Sequence, residues 1–188
     1  MQKVTVSAKL VKVATMFQAV GDCRWYLNGF HLHPNRITAT NGHVMWRHVF
    51  ETQLDMEDDL IIKVNGRIPA KAAFVEFQIT EEKEGIAICR DLFGKTVGAV
   101  VFEKVDGKYP DGEKQFAVLD SDKVSTSNIR LNAKYISLIE KACTALGVTQ
   151  NAVMVNFHGD KKPMVVEINS HEFKTTALIM MMRKDEQS

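Results

Sequence analysis

Two stretches of this chain repeat one another in order, and that internal duplication limits the folds open to it more than any other feature. The first begins Val4-Thr5-Val6-Ser7-Ala8-Lys9-Leu10-Val11, the second Ile129-Arg130-Leu131-Asn132-Ala133-Lys134-Tyr135-Ile136. Each reads as a short strand, a capping Ser or Asn, a helix and a closing glycine, Gly21 or Gly147. Leu10, Val13, Phe17 and Val20 make the apolar stripe of the first helix; Tyr135, Leu138, Ile139, Ala142 and Leu146 make that of the second. Further on, Phe30-His31 is echoed by Phe157-His158, and Asn41-Gly42-His43 by Asn169-Ser170-His171, at nearly constant offset. Each copy is thus expected to be a strand, a helix and a meander of two or three strands. Residues 30–33 and 36–40 should pair across Pro34-Asn35, and residues 153–157 and 164–168 across residues 160–163.

Between the copies, residues 60–64, 74–79, 86–90 and 97–105 read as strands, with turns at 81–85 and 91–95 and no helix. Glu51, Asp55, Glu57, Asp58 and Asp59 form a solvated acidic connection. All four prolines, Pro34, Pro69, Pro110 and Pro163, stand in or beside turns, and nothing resembles a flexible linker. The expectation is one α+β unit over 1–188, with sub-modules 1–50 (first repeat), 51–117 (strand-rich middle) and 118–188 (second repeat).

The 188 residues, 45% hydrophobic and 25% charged, form an ordinary globular mixture, which excludes disorder, collagen and coiled coil. A net charge of +1 excludes a strongly basic nucleic-acid coat while leaving room for a basic patch. Cys23, Cys89 and Cys143 are scattered and odd in number, so neither a disulfide framework nor a zinc pair is expected, and a reducing cytoplasm fits. The longest apolar runs, 97–102 and 177–182, are strand-sized, so no membrane span is expected.

Enzymatic motifs are missing: there is no glycine-rich phosphate loop, no His-Glu-x-x-His and no Gly-x-Ser-x-Gly. His31 and His33 share a strand face, and His48 could join them, but no acidic partner stands at ligand spacing. No metal, cofactor or catalytic residue is therefore expected. A cysteine nucleophile has less support still, since isolated cysteines behave as small buried hydrophobes. The helices offer more. Lys9 and Lys12 lie one turn apart on the first, and Lys134, Ser137, Lys141 and Thr144 follow one stripe on the second. Such lysines suit phosphate contacts that read no sequence, although a solvated polar face explains them as well.

The segment Arg24-Trp25-Tyr26-Leu27-Asn28-Gly29, followed by Ala39-Thr40-Asn41-Gly42-His43, closely resembles the bacterial sliding clamp, the beta subunit of DNA polymerase III. That family carries a Tyr-Leu-Asn-Gly strand and then Ala-Thr-Asp-Gly-His-Arg-Leu in its middle domain. Val105-Asp106-Gly107-Lys108-Tyr109-Pro110-Asp111 is similar to the family's Asp-Gly-Arg-Phe-Pro-Asp connector. The tail Leu178-Ile179-Met180-Met181-Met182-Arg183 is similar to its terminal Val-Met-Pro-Met-Arg strand. The resemblance implies a DNA-clamp-like fold of duplicated strand–helix–meander units, with two helices against antiparallel sheets. It makes Lys9, Lys12, Lys134 and Lys141 expected contacts to double-stranded DNA, together with the loop of Arg24, Trp25 and Tyr26. It also implies a cleft for a partner peptide of roughly the form Gln-x-x-Leu-Phe. Leu27, Thr40, Gly42, His43 and Met45 would line one side, Pro110 the rim, and Leu178, Met180, Met182 and Arg183 the other side. Apolar anchors and adaptable thioethers suit such a ligand, although a buried strand would also explain Met180–Met182.

Departures from the family pattern bear on function. Asn41 replaces the Asp, Val44 the Arg and Met181 the tail proline; the helix expected after residues 60–64 is replaced by residues 68–73; residues 184–188 run past the usual end. Two such chains cannot supply a ring of usual size. The leading expectation is a non-enzymatic, clamp-like protein that binds a DNA polymerase or another replication or repair protein through a short peptide. A complete oligomeric ring acting as processivity factor is the second reading, and a metal-dependent enzyme on the same scaffold the third. A bacterial or phage-infected cytoplasm is the expected setting, and a phage or prophage origin suits an abbreviated clamp.

Overall fold

The computed structural model of the protein describes residues 1–120, 122–123, 129–159 and 162–182. Strand β1 (Gln2–Ser7) buries Val4 and Val6 at the period of two expected of a half-buried strand. Helix α1 (Ala8–Phe17) follows at once and buries Leu10, Val11, Val13, Ala14 and Phe17. A 3₁₀ turn, Trp25–Asn28, leads into β2 (Phe30–His33), β3 (Arg36–Thr40) and β4 (Val44–Val49). The middle supplies β5 (Leu60–Asn65), β6 (Phe74–Ile79), β7 (Glu84–Arg90) and β8 (Thr96–Lys104). Short helix α2 (Gly112–Phe116) runs into a 3₁₀ turn, Ala117–Asp120. Helix α3 (Ala133–Leu146) then precedes β9 (Met154–Asn156), β10 (Met164–Asn169) and β11 (Lys174–Ile179).

These strands join one antiparallel sheet in the order β1-β6-β7-β8-β5-β2-β3-β4-β11-β10-β9. The duplication is visible in that order, because β4-β3-β2 and β11-β10-β9 run outward in the same sequence from the central β4–β11 ladder. Helices α1 and α3 pack against each other, α1 over β3, β4 and β6 and α3 over β10. Alternation then sorts the side chains of β4 and β11. Val44, Trp46, Ala177 and Ile179 enter the helix-side core, whereas Met45 and Leu178 join a second apolar cluster with Phe116, Val118 and Val165. In the main core Trp46 packs on Phe17 at 6.2 Å between ring centroids, and Phe77 meets Phe30 at 6.3 Å and Phe102 at 5.3 Å.

Several expectations need correction. The first helix ends at Phe17, not near Gly21, because Gln18 turns extended; Val20 is 91% exposed rather than part of the stripe. The Ala19 N–H instead donates to the Leu27 carbonyl at 2.8 Å, tying the loop to the 3₁₀ turn. Residues 129–131 form no strand, although Asn132 caps α3 through the Lys134 N–H and Gly147 closes it at φ 73°. Residues 26–29 are not a strand, since Tyr26 to Asn28 belong to the 3₁₀ turn. The middle does contain a helix, α2, whose Asp111 cap accepts from the Glu113 N–H at 3.1 Å. Finally, the last strand stops at Ile179, leaving Met180 and Met182 outside it and 45% and 48% exposed. The buried-strand reading of those methionines therefore fails.

Histidine burial makes the fold sensitive to acid. His31 and His48 are each 8% exposed. His31 Nε2 bonds Asp59 Oδ2 and its ring stacks on Tyr109; His48 Nδ1 donates to the Lys174 carbonyl at 3.0 Å. Burial pushes both imidazoles below their ordinary value, outweighing the opposing pull of Asp59 on His31 and of the Lys174 carbonyl on His48. The unfolded chain then binds protons that the folded chain refuses, so stability is lost as pH falls through the unfolded value of 6.5. Asp59, held low by His31, contributes stability that disappears only at more acid pH, below 3.8. The urea midpoint should fall between about pH 7.5 and about pH 5.5. A midpoint constant over that window would mean the two rings accept protons without cost.

Candidate functional site

A cavity of about 590 Å³ opens where the β3–β4 turn meets the end of β11. The turn is built by side chains. Asn41 Oδ1 accepts from the His43 and Val44 N–H groups at 3.0 and 3.1 Å, and the Thr40 hydroxyl donates to the Val44 carbonyl at 2.8 Å while accepting from Gly42 N–H at 3.0 Å. An Asn oxygen does here what an Asp oxygen would, which accounts for that replacement. Gly42 sits at φ 89°, and a Cβ there would come within 2.9 Å of the Arg24 guanidinium. Glycine thus satisfies both the turn and the close approach of Arg24.

Register builds the walls. Leu178 stands opposite Met45 and Ile179 opposite Val44, and the Met180 N–H donates to the His43 carbonyl at 3.0 Å. Leu27, 1% exposed, closes the floor beside them. The rim comes from residues 110–118, anchored by Tyr109. Its phenol accepts from the Thr40 N–H at 3.0 Å and lies 3.5 Å from the Gly29 carbonyl, and burial pushes it far above its ordinary value. Above the sheet, Arg47 lies 3.8 Å over the Phe116 ring and bonds Glu113 at 3.2 Å, fixing α2 across β4.

Of the residues expected in a peptide cleft, Leu27, Thr40, Gly42, His43, Met45, Pro110, Leu178 and Met180 line this one cavity. Met182 does not; its N–H donates to the Arg130 carbonyl at 2.9 Å. Arg183 lies outside the described residues. Arg24 and Tyr26, expected at DNA, line the cavity instead, with Arg24 Nη2 held 2.8 Å from Asp22 Oδ2. That guanidinium keeps the Asp22 carboxyl well below the usual carboxylate range. Trp25 stands apart, 62% exposed, donating from Nε1 to the Asp106 carbonyl at 2.8 Å. Lys114, Gln115, Ala117, Val118, Lys162 and Pro163 also line the cavity and escaped the sequence reading. Asp111 followed two residues on by Glu113 was the one local sign of α2.

The lysines are less uniform. Lys9 pairs with Glu172 at 2.8 Å, and Lys12 sits in a cleft beside Arg67, partly desolvated so that its ammonium is held below its ordinary value. Lys134 and Lys141 are exposed on α3. His31 and His33 do neighbour each other, at 6.1 Å between ring centroids, but His31 is engaged by Asp59. Among the described residues no three His, Cys, Asp or Glu side chains gather where they could hold a metal ion, and no helix is long and apolar enough to cross a membrane.

No protein-family model matches the sequence, and no curated protein sequence matches it either. Solved structures do. The DNA polymerase III subunit beta of Pseudomonas aeruginosa is similar over 97% of this chain and 67% of its own, with 15% identity and a TM-score of 0.61. The beta chain of Streptococcus pneumoniae gives 98% and 65%, with 13% identity and a TM-score of 0.63. The sliding clamp of Bacillus subtilis gives 97% and 64%, with 13% identity and a TM-score of 0.62. The chain spans about two thirds of the length of the clamps it matches. At these identities the likeness is one of architecture, and it covers nearly every residue: the chain has the fold of the bacterial DNA polymerase III beta sliding clamps.

Proposed function

We propose that this protein is a non-enzymatic, clamp-like binding protein whose cavity takes a short apolar peptide from a DNA polymerase or another replication or repair protein. The observation that carries this reading is the composition of the cavity wall. Leu27, Met45, Leu178 and Met180 supply apolar surface, while His43, Lys114, Lys162 and the Asp22-paired Arg24 stand around it, with no Asp or Glu among the described residues that line it. Such a site favours a peptide with large apolar side chains and an acidic flank or free carboxylate. Thr40 has its hydroxyl committed to the turn, so it contributes shape rather than a bond to the ligand. Exposed Met180 can adapt to the ligand at little cost to the fold.

Titration calorimetry with a peptide of the form Gln-x-x-Leu-Phe tests this. Micromolar affinity, about 7–9 kcal/mol, is the expected result. Met180→Ala should weaken binding by about 1–2 kcal/mol, and Met182→Ala, outside the lining, by less than about 0.5 kcal/mol. Leu27→Ala would be ambiguous, since emptying a buried leucine site costs about 2–5 kcal/mol of stability by itself. Absence of heat with the wild-type protein would remove the reading.

A second reading, weak contact with double-stranded DNA, is supported by the packing of α1 against α3, which places Lys9, Lys12, Lys134 and Lys141 on adjacent helices. Binding should be indifferent to sequence and decline with salt, at a slope of about 0.9 per phosphate neutralised. Replacing the four lysines by Ala should flatten that slope. The Lys9–Glu172 pair predicts that Lys134 and Lys141 account for more of the change than Lys9. A salt-independent or undetectable interaction at low salt would leave these lysines as solvated surface.

A further inference from the structure

The β7–β8 hairpin ends in a tip, Asp91-Leu92-Phe93-Gly94-Lys95, on which Leu92 is 78% and Phe93 95% exposed. The tip is rigid. Asp91 Oδ1 accepts from the N–H groups of Phe93 and Lys95, both at 2.9 Å. The Asp91 N–H donates to the Lys95 carbonyl at 2.9 Å, and the Gly94 N–H to the Asp91 carbonyl at 3.1 Å. Arg90 reaches the Gly94 carbonyl and the Thr96 hydroxyl, each at 3.3 Å, while bonding Glu76. A single exposed apolar side chain needs no explanation. Two adjacent ones, held outward on a hydrogen-bonded turn, form a preorganised contact that loses little entropy on docking.

The molecule also carries the matching recess. The cavity of about 590 Å³ is of a size that encloses a few large apolar groups, and the described residues that line it include Lys114 and Lys162 but no Asp or Glu. The tip sets Leu92 and Phe93 between Asp91 and Lys95, so it is the apolar pair that matches the recess. Within one chain the two cannot meet, because β5 and β2 are hydrogen-bonded between β8 and β3, a separation of about 14 Å across the sheet. Resting on the peptide-binding reading of the cavity, we infer that the Leu92–Phe93 tip of one copy of this chain docks in the cavity of a second copy. Tip and cavity are different patches, so the contact is heterologous and each docked pair leaves one free tip and one free cavity. Association therefore extends to a closed ring or an open chain, and any peptide that enters the cavity competes with it. Two anchoring side chains make a small interface of the weak class, so self-docking sets in at roughly tens to hundreds of micromolar.

Sedimentation equilibrium from about 10 µM to about 1 mM tests this with two variants at exposed positions, whose folding circular dichroism checks. The tip variant is Leu92→Ser with Phe93→Ser; the cavity variant is Met180→Glu. The wild-type mass should start at 21.2 kDa and rise at least about 1.5-fold, while each variant alone stays monomeric. An equimolar mixture of the two should form a 1:1 pair and nothing larger, since only one tip and one cavity remain intact. A wild-type mass fixed at 21.2 kDa, or a tip variant that associates like the wild type, would overturn the inference. If a Gln-x-x-Leu-Phe peptide binds while the mass stays fixed, self-docking alone is removed; if that peptide also fails, both readings go. Tip-dependent partition into phosphatidylcholine–phosphatidylglycerol vesicles without self-association would overturn the inference and assign the tip to a lipid surface.

Discussion

The β4–β11 ladder is the interaction on which the rest of this structure depends. It joins the two repeats into one sheet and sets their register, with Ala177 opposite Trp46 and Leu178 opposite Met45. A shift of β11 by one residue would exchange its faces, moving Ala177 and Ile179 out of the core and Leu178 into it, while the β3 ladder keeps Trp46 in place. The small Ala177 leaves room across the ladder for the fully buried indole, so the pairing also supports the packing of Phe17 on Trp46. The same register places the Thr40–His43 turn beside Met180. Core and cavity are thus two faces of a single alignment.

The connector between β8 and α3 depends on that alignment in turn. Tyr109 is buried against His31 and its phenol meets the Thr40 N–H, so the chain is pinned to the strand that carries the turn. From there Asp111 starts α2, and Phe116 and Val118 cover Met45, Val165 and Leu178 on the outer face of the sheet. The exposed ion pairs of Glu113 with Arg36 and Arg47 add little by themselves. The apolar cover and the stacking of Arg47 on Phe116 supply most of the hold.

Much of this was legible in the sequence because the signals are local. Residues 30–33 and 36–40 are strands with the expected limits, and Asn41-Gly42 builds its turn from its own side chain and backbone. Other features depend on contacts distant in sequence. Five-residue α2 is too short to show helical periodicity, and its position is fixed by Arg47 from another strand. The apolar run 177–182 reads as a strand throughout, but β4 begins at Val44 and β10 at Met164. Past Ile179 the β4 and β10 ladders end, and the backbone is held by the bonds from Met180 to His43 and from Met182 to Arg130. Arg24 could not be placed from sequence because its position is set by Asp22 and by the missing Cβ of Gly42.

The wall that the ladder assembles is the basis for reading this clamp fold as a peptide receptor, and the methionines report on it directly. In a methyl-labelled sample titrated with a Gln-x-x-Leu-Phe peptide, the Met45 and Met180 resonances should move together and saturably. Met154, 57% exposed on edge strand β9, and Met164, buried in the main core, should stay in place. Shifts confined to Met154, or no shift at Met45 and Met180 at saturating peptide, would contradict the assignment of this cavity as the binding site.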